Sequence, residues 1–223
     1  MNEFLLLFHA ILASAITLIA AKLGKEALTG VICMQFVLAN IFICKQINLF
    51  GLAVTSSDAY FISSALGLNL LREYFGKSAA QKGLQASIFC STILPIMSSI
   101  QLWYQPNTFD SSHCHFLAIL ASTPRIIFAS FFSYGVSQII EYLFYGWLQK
   151  AFSNKHIIFR NIMSLSLVQF IDTVLFSFVG LYGIVGNIGQ LIVFSYLIKL
   201  ITIGLETPVL GLTKKFNWLK KHE

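Results

Sequence analysis

"FLLLFHAILASAITLIAAKL", residues 4–23, decides the class of fold. A helix needs about 20 apolar residues to cross the hydrocarbon core of a bilayer. This stretch meets that length, and its only charge is Lys22, near its end. It is long for the apolar segment of a secretory signal, and no basic segment precedes it. The expectation is a retained membrane helix, with the lone His9 explained by helix packing.

Six further runs of the same kind follow, at 29–47, 58–75, 83–104, 124–150, 161–179 and 188–206. Ser63, Ser64, Gly67 and Asn69 dilute the third run, and Lys199 interrupts the seventh. Of 223 residues, 57% are hydrophobic and 11% charged, against about 25% charged in an average soluble domain. The mean hydropathy is +0.76. The expected fold is all-α: a polytopic membrane helix bundle of about seven transmembrane helices. One transmembrane domain covers 1–223, with an additional N-terminal helix in 1–25, a core over 29–211 and a basic tail over 212–223. "HFLAILAS", 115–122, is too short to span and is expected to lie at the outer interface or to re-enter. Pro124 suits the first turn of the helix that follows.

Basic residues in short loops mark the cytoplasmic side. They fall at Lys22 and Lys25, at Arg72, Lys77 and Lys82, at Lys150, Lys155 and Arg160, and in the tail "TKKFNWLKKHE". The intervening loops "NLFGLAVTSS", "QPNTFDSSHCH" and "GLYGIVGN" contain no Lys or Arg. Seven helices put all four basic places on one side. The N-terminus is therefore expected outside and the C-terminus in the cytoplasm. The net charge of +6 is then a matter of topology, not of nucleic-acid binding. Cys33, Cys44, Cys90 and Cys114 form no CxxC pair and read as small hydrophobes. "HCH" at 113–115 is not expected to hold a metal, because three adjacent residues cannot all point one way. No cofactor is expected.

Polar groups inside a bilayer are costly and usually face a cavity or one another. Asn40 lies in the second run, with Lys45 near its outer end. Asn69 and Glu73 share one face of the third. The fifth carries Ser130, Ser133, Tyr134, Ser137, Gln138 and Glu141, and the sixth Ser166, Gln169, Asp172 and Thr173. Arg160 and Asn161 open the sixth run, and Lys199 and Glu206 lie in the seventh. Serine and threonine here serve packing. Arg72, Glu73 and Glu206 sit near the cytoplasmic edge, where they can snorkel or pair. Asp172 and Lys199 reach water from neither end. Two readings of them stand: a structural bridge with one another, or one wall of a mid-depth cavity. The amides, carboxylates and aromatics together suit a small, flat, polar molecule, not an ion filter. No HExxH, GxSxG or paired-Asp arrangement points to a membrane enzyme.

Five stretches then bear a common likeness. They are "LANIFICKQINLFGLAVT" (38–55), "LNLLREYFGKSAAQKG" (68–83), "TPRIIFASFFSYGVSQIIEYLFYGWLQ" (123–149), "FRNIMSLSLVQFIDTVLF" (159–176) and "YLIKLITIGLETPVLG" (196–211). In order over about residues 20–211, the chain resembles the queuosine precursor transporter family, also described as vitamin-uptake-like transporters. The resemblance implies import of 7-deazaguanine bases such as queuine for tRNA modification. It puts the family's pattern on Asn40, Lys45, Glu73, Arg125, Ser137, Gln138, Glu141, Arg160, Asn161, Gln169, Asp172, Thr173 and Lys199. Two positions depart from it: Asn69 and Glu141 stand where the family usually has Asp.

A 7-deazaguanine shows an N–H and an NH₂ side by side, next to a carbonyl. A carboxylate takes both donors, and an amide or Arg meets the carbonyl. The expected substrate site is Asn40, Asn69, Glu73, Tyr134, Gln138, Glu141, Asn161, Gln169 and Asp172, with Tyr134, Phe170 and Phe176 offering faces for stacking. Lys45, Arg125, Arg160 and Lys199 are expected to balance charge or couple transport. The expected partners are the small-molecule base and the lipid bilayer, and a homo-oligomer is open. An alternative is a substrate-binding membrane subunit that needs a separate ATPase module, since the chain has no P-loop.

Overall fold

Residues 4–23 fall within α1, Asn2–Leu23, in a computed structural model that describes residues 1–152 and 157–215. The buried side of α1 is made of small residues, Ala13, Thr17, Ala20 and Ala21. Its other side exposes Phe4, Leu7, Phe8, Ile11 and Ile19. Small residues let helices approach closely in a membrane, while large apolar ones face lipid. Helix α2, Lys25–Phe42, buries Leu28, Ile32, Gln35, Ala39 and Asn40, a single face at helical spacing. With α3, Asp58–Phe75, these helices close a core of Ala20, Ala21, Leu28, Ile32, Leu66, Leu70, Leu71 and Tyr74. Gly67 faces Ile32 in this packing. A polar seam crosses it: Gln35 Nε2 donates to Thr17 Oγ1 at 2.9 Å, and Thr17 Oγ1 donates to the Ala13 carbonyl at 3.0 Å.

The remaining elements are α4, Lys77–Trp103; α5, His113–Leu120; α6, Thr123–Ala151; α7, Ile157–Phe176, continued by a π-helical turn Ser177–Leu181; and α8, Ile188–Lys215. Among the described residues, seven long helices overlap the seven apolar runs. The short α5 lies at 113–120 and buries none of its side chains. Among the described residues, four stretches are long and apolar enough to cross a membrane: Asn2–Leu23, Lys25–Phe42, Ser78–Trp103 and His113–Ser137.

One expectation is corrected. The second run was expected to stay helical to residue 47, but α2 ends at Phe42 and a hairpin follows. Strands β1, Gln46–Leu49, and β2, Leu52–Thr55, pair antiparallel, with Ile47 opposite Val54 and Leu49 opposite Leu52. The two-residue loop Phe50–Gly51 has φ of 49° and 80°. Positive φ at both positions gives the twist that joins neighbouring strands tightly. The hairpin forms because it has a core of its own: Leu49 and Val54 are wholly buried with Phe194 of α8. Glu3 accepts the Phe50 N–H at 3.0 Å and Asn2 donates to the Asn48 carbonyl at 3.0 Å, which ties the hairpin to α1.

Candidate functional site

Asp172 on α7 and Lys199 on α8 meet: Lys199 Nζ lies 2.8 Å from Asp172 Oδ2. Their side chains are 25% and 26% exposed, so the pair is not sealed. Gln169, one turn before Asp172, is half-buried, and its carbonyl accepts Thr173 Oγ1 at 2.7 Å.

A third charge joins them from α3. Asp58 is the first residue of that helix and is 6% exposed. The Ser195 hydroxyl is within reach of its carboxylate, and the Lys199 ammonium acts on it electrostatically. Ser195 and Lys199 are one turn apart on α8. Asp58 Oδ2 has no hydrogen-bond partner. Lys199 is thus paired with Asp172 and acts at longer range on Asp58.

Asp58 was absent from the residues expected from the sequence. An Asp in the first turn of a helix is favoured by the helix dipole alone, so nothing local set it apart. Gln35 was missed as well: it is 5% exposed, and its Oε1 has no hydrogen-bond partner.

The other expected residues lie in several places. Asn40 is buried; its Nδ2 donates to the Phe36 carbonyl at 2.7 Å and its Oδ1 has no partner. Asn69 is half-buried on α3, and Tyr134 is 39% exposed on α6. Lys45 lies beyond α2, exposed, beside the hairpin. It lines an open groove of about 300 Å³ with His9, Phe42 and Tyr60. There the Tyr60 ring meets His9 edge-on at 4.6 Å and Phe42 nearly parallel at 5.9 Å. The side chains of Glu73, Gln138, Glu141, Arg160, Asn161 and Glu206 lie outside those described. Among the described residues, no three His, Cys, Asp or Glu side chains gather as a metal site.

Arg125, at the start of α6, holds backbone. Its Nε donates to the Val179 carbonyl and its Nη2 to the Tyr182 carbonyl, each at 2.8 Å. These oxygens belong to the π turn and the residue after it, where helix carbonyls lack partners of their own. Arg125 therefore fixes the end of α7, the helix that carries Asp172. Hydrogen bonds to charged groups are worth about 1.5–3 kcal/mol each. Arg125→Ala is expected to lower the thermal unfolding midpoint of purified protein, with Arg125→Lys recovering only part of it. A midpoint unchanged by Arg125→Ala would show that the clamp is not structural.

Residues 55–213 match the model of a family described as "Putative vitamin uptake transporter". The chain is also 27% identical over 220 residues to a protein of Bacillus subtilis (strain 168) named "Probable queuosine precursor transporter", covering 96% of this chain and 95% of that one. No solved structure matches the chain.

Proposed function

Because the chain belongs to the putative vitamin uptake transporter family, we propose that it imports queuosine precursors, 7-deazaguanine bases used in tRNA modification. It is a multi-pass membrane protein, and it shares nearly its full length with the relative whose name carries that substrate class. The observation that carries the reading is the Asp172–Lys199 pair between α7 and α8, with the buried Asp58 within its electrostatic reach.

A carboxylate held by an ammonium offers an acceptor next to a donor. The guanine-like edge is the complement: adjacent N–H and NH₂ donors, then a carbonyl. Asp172 takes the donors, and Lys199 has spare N–H bonds for the carbonyl. Gln169, one turn away, extends the wall. The basic loops face the cytoplasm, so the uncharged hairpin and the turn after α7 lie on the outer side.

The test is expression in cells that neither make nor import these precursors, followed by supply of each compound and assay of tRNA for the modified nucleoside. Modification that depends on this chain alone supports import without a partner module. No modification with any precursor would refute the reading.

A further inference from the structure

Gln46 fastens the root of the hairpin with both ends of one amide. Its Nε2 donates to the Ile184 carbonyl at 3.2 Å, and its Oε1 accepts the Gly186 N–H at 3.1 Å. Ile184 and Gly186 belong to the turn between α7 and α8, and both bonds are exposed. A two-stranded hairpin is marginally stable alone, so its place depends on contacts of this kind. Its tip is tied to the first turn of α1 by Asn2 and Glu3. On another flank it borders the open groove of about 300 Å³, which Ile47 and Ser56 line with Leu5, Leu6 and His9. That groove leaves it room to shift.

The same hairpin covers α8 between its outer end and the Asp172–Lys199 pair. Leu49 and Val54 pack with Phe194, and Ile198, the neighbour of Lys199, joins them. At 1.5 Å per residue from Ile188, Phe194 lies about 9 Å and Lys199 about 16 Å along the helix. Approach to the pair along α8 from its outer end therefore meets the hairpin first. We propose that the hairpin is the outer gate of the pair and that Gln46 is its latch. The proposal rests on import through that pair and adds how the outer side is closed. Import needs a site that opens to one side and then to the other. Opening here breaks the two Gln46 bonds and parts a small apolar contact, with no helix unwound. The hairpin and the first turn of α1 shift together. Gln46 is a positioning residue: it sets how often the gate stands open, and a ligand binds from outside only to that fraction of molecules.

The test uses the full chain in intact cells, with Cys33, Cys44, Cys90 and Cys114 changed to serine or alanine. Val54→Cys then puts one thiol on the wholly buried face of the hairpin. A membrane-impermeant maleimide, added outside, reports how often that face is uncovered. Adding Gln46→Ala is expected to speed the labelling about tenfold, the effect of losing two exposed hydrogen bonds. Should Val54→Cys fail to fold, Leu52→Cys, opposite Leu49 in the hairpin, takes its place. A second chain fixes the gate shut. Gln46→Cys with Gly186→Cys sets two thiols across the latch, where a Cβ on Gly186 lies 3.8 Å from Gln46 Oε1. A short bifunctional methanethiosulfonate ties them. Uptake of a labelled 7-deazaguanine is expected to fall about tenfold or more when tied, and to return when a reductant releases the tie. Each single-cysteine chain is expected to keep its uptake under the same treatment.

A labelling rate that Gln46→Ala leaves unchanged would overturn the latch. Full uptake by the tied chain would overturn the gate. Labelling in inside-out vesicles but not in intact cells would put the hairpin on the other face and overturn both. The labelling needs no substrate, so it is read apart from import. If Gln46→Ala speeds it but cells expressing the chain modify no tRNA with any precursor, the gate stands and import of queuosine precursors falls.

Discussion

Exchanging the charges of Asp172 and Lys199 is expected to return folded protein without returning transport. The single changes come first. Asp172→Asn or Lys199→Met leaves the other group with an uncompensated charge between α7 and α8. Breaking a fully buried pair in this way costs about 3–5 kcal/mol. Here each side chain keeps about a quarter of its surface, so a cost of about 2–3 kcal/mol is expected. If the pair reads the base, uptake of a labelled 7-deazaguanine by the folded protein should fall about 100-fold, a lost charged contact of about 3 kcal/mol at about 1.4 kcal/mol per ten-fold. The double change Asp172→Lys with Lys199→Asp restores the attraction across the same helix pair. A purely structural bridge would then recover both the folded fraction and uptake. A pair that reads the base would recover only the fold, because its acceptor and its donor have changed places. Size-exclusion profiles and uptake measured on the same samples separate these outcomes. Recovered uptake in the exchanged protein would sink the claim that the pair contacts the substrate.

The helices were legible because a bilayer admits few alternatives. Backbone groups in hydrocarbon must be satisfied within the segment, so a long apolar run is read as a helix. The hairpin was not legible for the opposite reason. Its strands have four residues each, and its turn places a phenylalanine at positive φ. What stabilises it is Phe194 of α8, distant in sequence. That is also why Lys45, expected near a helix end, instead lines a groove beside the hairpin. The site divides in the same way. A charge within an apolar run is costly whatever surrounds it, so Asp172 and Lys199 stood out from the sequence. Asp58 begins a helix, where an acidic residue needs no special cause. Its meaning comes from α3 packing against α8, which no local pattern records. Arg125 lay in a recognisable stretch, yet its partners are backbone carbonyls that no motif names.

The packing of α3 on α1 and α2 makes Gly67 a position where one added methyl group should matter. A Cβ there would lie 2.7 Å from Ile32 Cγ1, 3.0 Å from Ile32 Cδ1 and 3.2 Å from Thr17 Cγ2. The nearest atom is not the free end of a flexible chain. Ile32 is β-branched, stiff at χ1 within a helix, and wholly buried, so it has little room to retreat. Overpacking of this kind costs about 1–3 kcal/mol for Gly67→Ala, and Gly67→Leu is expected to leave little folded protein. The cause is checked by a double change. Ile32→Ala removes the atoms that collide, so Gly67→Ala should cost much less in that background than alone, a coupling readable from thermal midpoints. Additive costs would show that the contact is not the reason. The effect should also reach the site. Gly67 sets how closely α3 approaches α1 and α2, and Asp58 rides at the start of α3. A helix pushed outward carries Asp58 away from Ser195 and Lys199. Folded Gly67→Ala protein is therefore expected to take up a labelled 7-deazaguanine less well than the wild type at matched amounts of folded protein.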